Sequence, residues 1–126
     1  MIDCDTMKLL NNFYTIESIE LTDQGRLECI VRLLEHHDIY RGHFPSVAVV
    51  PGVCTLTIVK ECAGLALGHD IRFSTIRKCK FMSLLTPETN LGLKLSFQIT
   101  GTILKGAVSR LSDNQTTIKL DADITQ

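Results

Sequence analysis

One apolar helical pattern, from Gly52 to Leu67, constrains the fold of this chain most strongly. Apolar residues recur along it at helical spacing; Pro51 and Gly52 mark its start, and Gly64 or Gly68 marks its end. The other faces of the pattern are also largely apolar, so a sheet or a partner chain must cover the helix on most sides. We therefore predict a central helix and not a surface helix.

Alternation of apolar and polar residues predicts strands on both sides of this helix. Two strands joined by a turn at residues 22–25 precede the helix, and four strands follow it with turn signals between them. The predicted strands are 13–21, 26–34, 72–82, 91–100, 103–111 and 116–124. Successive hairpins imply mainly antiparallel pairing. The sequence thus predicts an α+β fold, with a curved antiparallel β-sheet wrapped around a long central α-helix.

Length, composition and charge fit a single domain over residues 1–126, because a second core would leave each half too small. Apolar residues make up 44% of the chain and charged residues 21%, which is ordinary globular composition. Thirteen basic and fourteen acidic side chains give a net charge of -1, so no overall positive field attracts phosphate backbones. We expect no nucleic-acid partner.

The five cysteines are widely spaced and include no CxxC pair, which is typical of reduced thiols in the cytoplasm. The N-terminus lacks the charged and then apolar pattern of a signal peptide. No apolar run reaches the roughly 20 residues of a membrane span. We expect a cytoplasmic protein without a membrane span.

The segment from residue 41 to residue 53, RGHFPSVAVVPGV, is the part of the sequence that suggests chemistry. It places the imidazole of His43 in a proline-stiffened loop that leads into the N-terminus of the predicted helix. The first amide N–H groups of a helix have no acceptor within the helix. A base would then lie beside a site for an oxyanion. The alternative is a loop histidine that is hydrogen-bonded to the backbone.

This segment resembles the signature of a known enzyme family. GHFP at residues 42–45, followed after five residues by PGV, is similar to the motif of the hotdog-fold 3-hydroxyacyl-[acyl-carrier-protein] dehydratases. Residues 78–89 are similar to the KFxxPVxPGDT stretch of that family. The resemblance implies a hotdog fold, a hydro-lyase of fatty acid or related acyl-chain biosynthesis, and no cofactor. It also implies an acyl carrier protein or coenzyme A thioester substrate, and a dimer with two sites at the subunit interface.

The resemblance also implies roles for individual residues. His43 matches the catalytic histidine, and the amides of Gly52 and Val53 match the donors that hold the thioester carbonyl. This pairing suits the reaction, because an imidazole can remove the weakly acidic α-proton only if the enolate-like oxygen is stabilised. Phe44, Val47 and Phe81 are candidates for lining an acyl tunnel, although core packing is the default explanation for such residues.

Thr57 is the main departure from the family pattern, because the family has a Glu or Asp fourteen residues after the histidine. Three arrangements would compensate for it. Glu61 lies one helical turn further, about 6 Å along the axis; Thr57 could position a water molecule; or a second hotdog subunit could supply a carboxylate in a heterodimer. Glu61 could also be a solvated residue, or one paired with Lys60. Ala48 replaces a family proline, a lesser change that affects loop stiffness.

Three functions follow from these residues. The leading hypothesis is a dehydratase that removes water from a 3-hydroxyacyl thioester to give a trans-2-enoyl thioester. The second is a non-catalytic or auxiliary hotdog subunit that binds acyl chains or completes a partner's site, which Thr57 favours. The third is an acyl thioesterase.

Other residues suggest weaker hypotheses. Cys54, in the first helical turn, could form a nucleophilic pair with His43, although buried cysteines usually act as small apolar residues. His36, His37 and His43 do not predict a metal site, because adjacent strand histidines point to opposite faces. Residues 72–80 contain four basic side chains, which would suit an acidic carrier protein or a solvated strand face.

Overall fold

The computed structural model of the chain describes residues 14–33, 52–82 and 92–125, and for residues 52–54 the backbone alone. Within these ranges the chain forms six β-strands and one α-helix. The elements are β1 (Tyr14–Leu21), β2 (Arg26–Leu33), α1 (Gly52–Leu67), β3 (Arg72–Phe81), β4 (Gly92–Thr100), β5 (Ile103–Arg110) and β6 (Thr116–Thr125). The helix bounds agree with the sequence prediction, and the α+β class is confirmed.

The six strands form one sheet in the order β1-β2-β4-β5-β6-β3, and every neighbouring pair is antiparallel. The helix contacts β1 and β2 near one edge of the sheet and β3 at the other edge. Because those strands lie at opposite ends of the strand order, the sheet must curve around the helix. The predicted wrapping of an antiparallel sheet around a central helix is therefore confirmed.

The core lies between the concave face of the sheet and the helix. Buried residues alternate along β2, β4 and β6, as expected when one face of an antiparallel sheet is covered. The buried apolar residues of this core are Tyr14, Leu27, Cys29, Val31, Leu33, Ile58, Val59, Cys62, Ala63, Ile71, Leu93, Leu95, Phe97, Ile99, Leu104, Val108, Ile118, Leu120, Ala122 and Ile124. The helix is covered as predicted from Thr55 to Gly64, except at the half-buried residues Leu56, Lys60 and Glu61.

Two glycines with positive φ fix the ends of elements. Gly25, at φ 85°, lies in the predicted turn between β1 and β2, where the Thr22 amide donates to the Arg26 carbonyl over 2.9 Å. Gly68, at φ 86°, ends the helix, and its amide donates to the Gly64 carbonyl over 2.9 Å. Of the two glycines that the sequence offered as a helix end, Gly68 is therefore the one used.

The strand bounds differ from the predictions by single residues. Strand β3 ends at Phe81 and not at residue 82, β5 ends at Arg110, and β6 continues to Thr125. The predicted strand residues Phe13, Leu34 and Leu91 lie outside the described residues. In the described part of the chain, no helix combines the length and the apolar character that crossing a membrane requires.

Candidate active site

The N-terminus of α1 supplies the backbone part of the candidate site. Gly52 and Val53 are the first two residues of this helix, and its first turn contains no acidic residue. The first amides of an α-helix point along the axis without acceptors inside the helix, and the helix dipole adds partial positive charge there. This helix end therefore suits an oxygen that gains negative charge during a reaction.

Thr57 and Glu61 lie one turn apart on the same face of α1, as the spacing of the sequence predicts. The Thr57 side chain is buried, with 3% of its surface exposed, whereas Glu61 is half-buried. A hydroxyl at position 57 is a weak acid compared with a carboxyl group. Of these two residues, only Glu61 carries a carboxyl group, the kind of group that enzymes use as a general acid.

Glu61 accepts a hydrogen bond from Tyr14, at the start of β1. The Tyr14 Oη atom lies 2.9 Å from Glu61 Oε1, and the tyrosine side chain is entirely buried. A buried tyrosine requires a polar partner for its hydroxyl group, and the Glu61 carboxyl group provides one. The bond therefore ties β1 to the helix face that carries Thr57 and Glu61.

Two buried cysteines continue this cluster into the core. The Cys62 Sγ atom lies 4.0 Å from Tyr14 Oη and 3.6 Å from Cys29 Sγ of β2. The hydrogen bond between the two thiols, together with burial, raises the pKa of Cys62 above its ordinary value. Burial first, and then the nearby Cys62 and Glu61 groups, raise the pKa of Tyr14. Both groups therefore stay protonated at neutral pH, and Cys62 is not an activated nucleophile.

The described residues bring together only part of the predicted site. The structure places Gly52, Val53, Thr57 and Glu61 on one helix. His43, Phe44 and Val47 lie outside the described residues, as do His36, His37 and the side chain of Cys54. The position of the imidazole relative to the helix amides therefore stays a prediction, and so does the pairing of Cys54 with His43.

Phe81 lies at the end of β3, one of the two edge strands of the described sheet, and 56% of its surface is exposed. Ile76 and Met82 are also exposed large apolar residues, at 44% and 43%. An edge strand also presents unpaired backbone groups. In the described sheet, this edge therefore combines exposed apolar side chains with backbone groups that can pair.

Three of the four basic residues of β3 divide into two groups. Arg77 forms ion pairs with Asp121 over 2.6 Å and with Asp123 over 2.5 Å, so neighbouring carboxylates balance its charge. Lys78 and Lys80 instead line a groove of about 360 Å³ on the outer face of the sheet. The other residues of this groove are Lys105, Gly106, Ala107, Lys119, Leu120 and Asp121. We call it the lysine groove.

Among the described residues, no group of three or more His, Cys, Asp or Glu side chains could hold a metal ion.

Sequence reasoning missed the role of Tyr14. Its position on the inward-facing side of β1 was a usable signal, because a buried tyrosine hydroxyl needs a partner. The identity of that partner, 47 residues away, was not readable from local patterns.

Comparison with known proteins identifies the relatives of this chain. The family model of the ApeI-like proteins, described as ApeI dehydratase, matches residues 19–119. The 3-hydroxyacyl-[acyl-carrier-protein] dehydratase FabZ of Macrococcus caseolyticus (strain JCSC5402) is 31% identical over 111 residues, covering 80% of this chain and 77% of the relative. The resemblance found in the sequence is therefore confirmed.

Two solved structures share the fold. The dehydratase heterocomplex ApeI:P from Xenorhabdus doucetiae matches with a TM-score of 0.74 and 24% identity, covering 88% of this chain and 96% of that one. The putative thioesterase yhdA from Lactococcus lactis matches with a TM-score of 0.61 and 9% identity, covering 87% and 90%. Together with the sheet and helix described above, these likenesses confirm the predicted hotdog fold.

Proposed function

The chain belongs to the ApeI-like dehydratase family, and we propose that it removes water from a 3-hydroxyacyl thioester to give a trans-2-enoyl thioester. The observation that carries this proposal is a helix whose N-terminal residues Gly52 and Val53 follow the GHFP motif after six intervening residues in sequence. We place the reaction in fatty acid or related acyl-chain biosynthesis, with an acyl carrier protein or coenzyme A as the carrier.

In the proposed mechanism, the imidazole of His43 removes a proton from the α-carbon of the substrate. The electron pair of that C–H bond shifts toward the thioester carbonyl, and the amides of Gly52 and Val53 donate hydrogen bonds to its oxygen. The pair then forms the α,β double bond as the C–O bond at the β-carbon breaks. The departing hydroxide takes up a proton and leaves as water. The atoms and electrons of this reaction balance without a cofactor.

We assign delivery of that proton to Glu61 and not to Thr57. Glu61 lies on the same helix face, one turn beyond the position where the family has a carboxylate. It is half-buried and held by a hydrogen bond, which suits a group that must meet substrate at a fixed point. Such an acid is worth about 10²- to 10⁴-fold in rate.

We further propose that the working form is a homodimer or a larger hotdog oligomer, with a second copy of the chain on the β3 edge. The exposed Ile76, Phe81 and Met82 support this placement, because an apolar edge strand is normally covered in the native assembly. In that assembly Phe81, together with Phe44 and Val47, would line the path of the acyl chain. The free buried thiols Cys29 and Cys62 suit a reducing compartment such as the cytoplasm.

The second candidate is an auxiliary subunit that completes the site of a different hotdog chain. Thr57 favours it, because the carboxylate of the family is missing from that position. The name of the Xenorhabdus doucetiae relative also describes a heterocomplex. An acyl thioesterase is the third candidate, supported by the shared fold of the Lactococcus lactis structure.

Hydration of crotonyl and longer 2-enoyl thioesters by the purified chain, followed at the thioester-conjugated double bond, tests the proposal. We expect turnover by the wild type and a loss of about 10²-fold or more for His43→Ala and Glu61→Gln. Lys60→Gln is the matched control, since Lys60 is a half-buried neighbour on the same helix. Failure to turn over any chain length would favour the auxiliary subunit, and release of free thiol would favour the thioesterase.

A further inference from the structure

We propose that Tyr14 is a positioning residue, whose hydroxyl group holds the Glu61 carboxyl group in the orientation that delivers the proton. The inference rests on the proposed function, because Glu61 must be the acid for its orientation to matter. It starts from one contact: Tyr14 Oη donates to Glu61 Oε1 over 2.9 Å, between two elements that lie 47 residues apart in sequence.

The displaced position of Glu61 explains why a positioning residue is required. One turn of helix moves a side chain about 5 to 6 Å along the axis. The Glu61 side chain must therefore extend toward the place where the family has the carboxyl group of the residue at position 57. A glutamate has three rotatable side-chain bonds, and fixing them in one orientation costs conformational entropy. A fixed hydrogen-bond donor removes that freedom before substrate arrives.

Tyr14 is suited to act as that fixed donor. Its ring is 0% exposed and belongs to the core, and its backbone lies opposite Leu33 of β2, so packing determines where the phenol oxygen lies. The cluster with Cys62 and Glu61 surrounds the hydroxyl, and its raised pKa means that the phenol keeps its proton throughout the neutral range. The anchor therefore stays a donor at every step of the reaction.

In this arrangement the two carboxyl oxygens of Glu61 have different roles. Oε1 accepts from Tyr14, so in the acid form of Glu61 it acts as the carbonyl oxygen. The transferable proton then resides on Oε2, and breaking the Oε2–H bond as the hydroxide leaves converts Glu61 to a carboxylate. That carboxylate is stabilised by the same Tyr14 hydrogen bond until a proton returns from solvent or from His43.

Tyr14→Phe tests the inference, because it removes the hydroxyl and keeps the ring. With the full chain and a 2-enoyl thioester, we expect kcat to fall about tenfold while KM changes less than about twofold. In the Glu61→Gln chain, the added Tyr14→Phe change should cause no further loss, because the two residues act through one proton transfer. Thr117→Val is the matched control: it removes another buried hydroxyl, bonded to the Val108 carbonyl over 3.2 Å, and should leave kcat unchanged.

A second variant tests the same point by rescue. Thr57→Glu restores a carboxylate at the family position, and in the Tyr14→Phe chain it should recover most of the lost kcat. Thr57→Asp, which is smaller, serves the same purpose at this buried position if the glutamate variant does not fold.

The outcomes separate this inference from the proposed function. An active wild type that loses kcat with Glu61→Gln but not with Tyr14→Phe would overturn the positioning role alone. Equal thermal destabilisation by both changes with unaltered kcat would make the pair purely structural, and would also remove Glu61 from the mechanism. A folded wild type with no activity would overturn the proposed function, and the positioning role with it.

Discussion

Gly106 of β5 lies directly opposite Phe97 of β4, and the two strands approach so closely there that no side chain fits on the glycine. A Cβ atom on Gly106 would lie 2.1 Å from the Ser96 carbonyl oxygen, 2.7 Å from Phe97 Cα and 2.9 Å from Phe97 Cδ1. Two of these neighbours are backbone atoms, which cannot move without disturbing the β4–β5 ladder. The packing of Phe97 into the core therefore depends on glycine at position 106.

We expect Gly106→Ala to destabilise the fold by about 3 kcal/mol or more, because the added methyl group must displace backbone. Gly68→Ala is the comparison variant. It has open space around its Cβ position but a φ of +86°, so only the cost of the left-handed conformation applies, about 1 to 2 kcal/mol. Urea unfolding followed by far-ultraviolet circular dichroism measures both changes. Equal losses for the two variants would contradict the close approach described at Gly106.

The buried phenol of Tyr14 should make the fold less stable in alkali. Below its ordinary pKa of 10.0, the phenol is protonated in the folded and unfolded chains alike, so its contribution to stability is complete. Above that value the unfolded chain releases the proton, whereas the folded chain, with its raised pKa, retains it. Unfolding is therefore favoured as the pH rises, by about 1.4 kcal/mol per pH unit for this one group.

Tyr14→Phe isolates that contribution. Between pH 10 and pH 11, we expect the free energy of unfolding of the wild type to fall more steeply than that of the variant, by a slope that rises toward that of one proton. Urea titrations at several pH values from 8 to 11 measure both slopes. Parallel curves for the two chains would mean that the phenol ionises equally in the folded state, contrary to its burial.

Much of the fold was readable from local sequence patterns. The bounds of α1 were predicted without error, since Gly52 and Gly68 are strong start and stop signals flanking a continuous apolar pattern. The strand bounds were correct within one residue wherever the structure describes them, because alternation and turn residues act locally.

The order of the strands was not readable in this way. Strand β2 pairs with β4, and β3 crosses to the far side of β6, both through contacts that are distant in sequence. Likewise, the motif at residues 42–53 pointed to the helix N-terminus, but nothing local indicated that Tyr14 would meet Glu61. Side-chain partners across elements depend on the whole packing arrangement, which a pattern within one element does not contain.

Thr57→Val separates the two ways in which this chain could compensate for its missing carboxylate. The change removes the hydroxyl and keeps the shape of the side chain, which matters at a site that is 3% exposed. If Glu61 supplies the proton, we expect kcat to stay within about threefold of the wild type once the folded fraction is taken into account. If Thr57 instead held a catalytic water, kcat should fall by about 10²-fold or more. The kcat for steady-state hydration of a 2-enoyl thioester distinguishes these two cases.

The lysine groove leads to a prediction about the carrier. Lys78, Lys80, Lys105 and Lys119 are exposed around one groove, and Asp121, its one acidic residue, is already paired with Arg77. None of the four lysines forms an ion pair with another described residue, so their positive charge is available to an anionic partner despite the net charge of -1. An acidic carrier protein would pair with this charge, whereas a pantetheine thioester carries no acidic surface that could do so.

We therefore expect the double change Lys105→Gln and Lys119→Gln to raise KM for an acyl-carrier-protein substrate about tenfold at low salt, with kcat unchanged. KM for the matching pantetheine thioester should be unaffected, because the chemistry at the helix N-terminus is untouched. Adding salt should reduce the difference between wild type and variant, since exposed charges are screened within about 10 Å at 0.1 M ionic strength. Lys94→Gln, on the exposed part of β4 outside the groove, controls for loss of charge alone. Unchanged KM for both thioesters would assign the four lysines to a solvated strand face with no part in binding the carrier, whereas an equal rise for both would mean that the change disturbs the site itself.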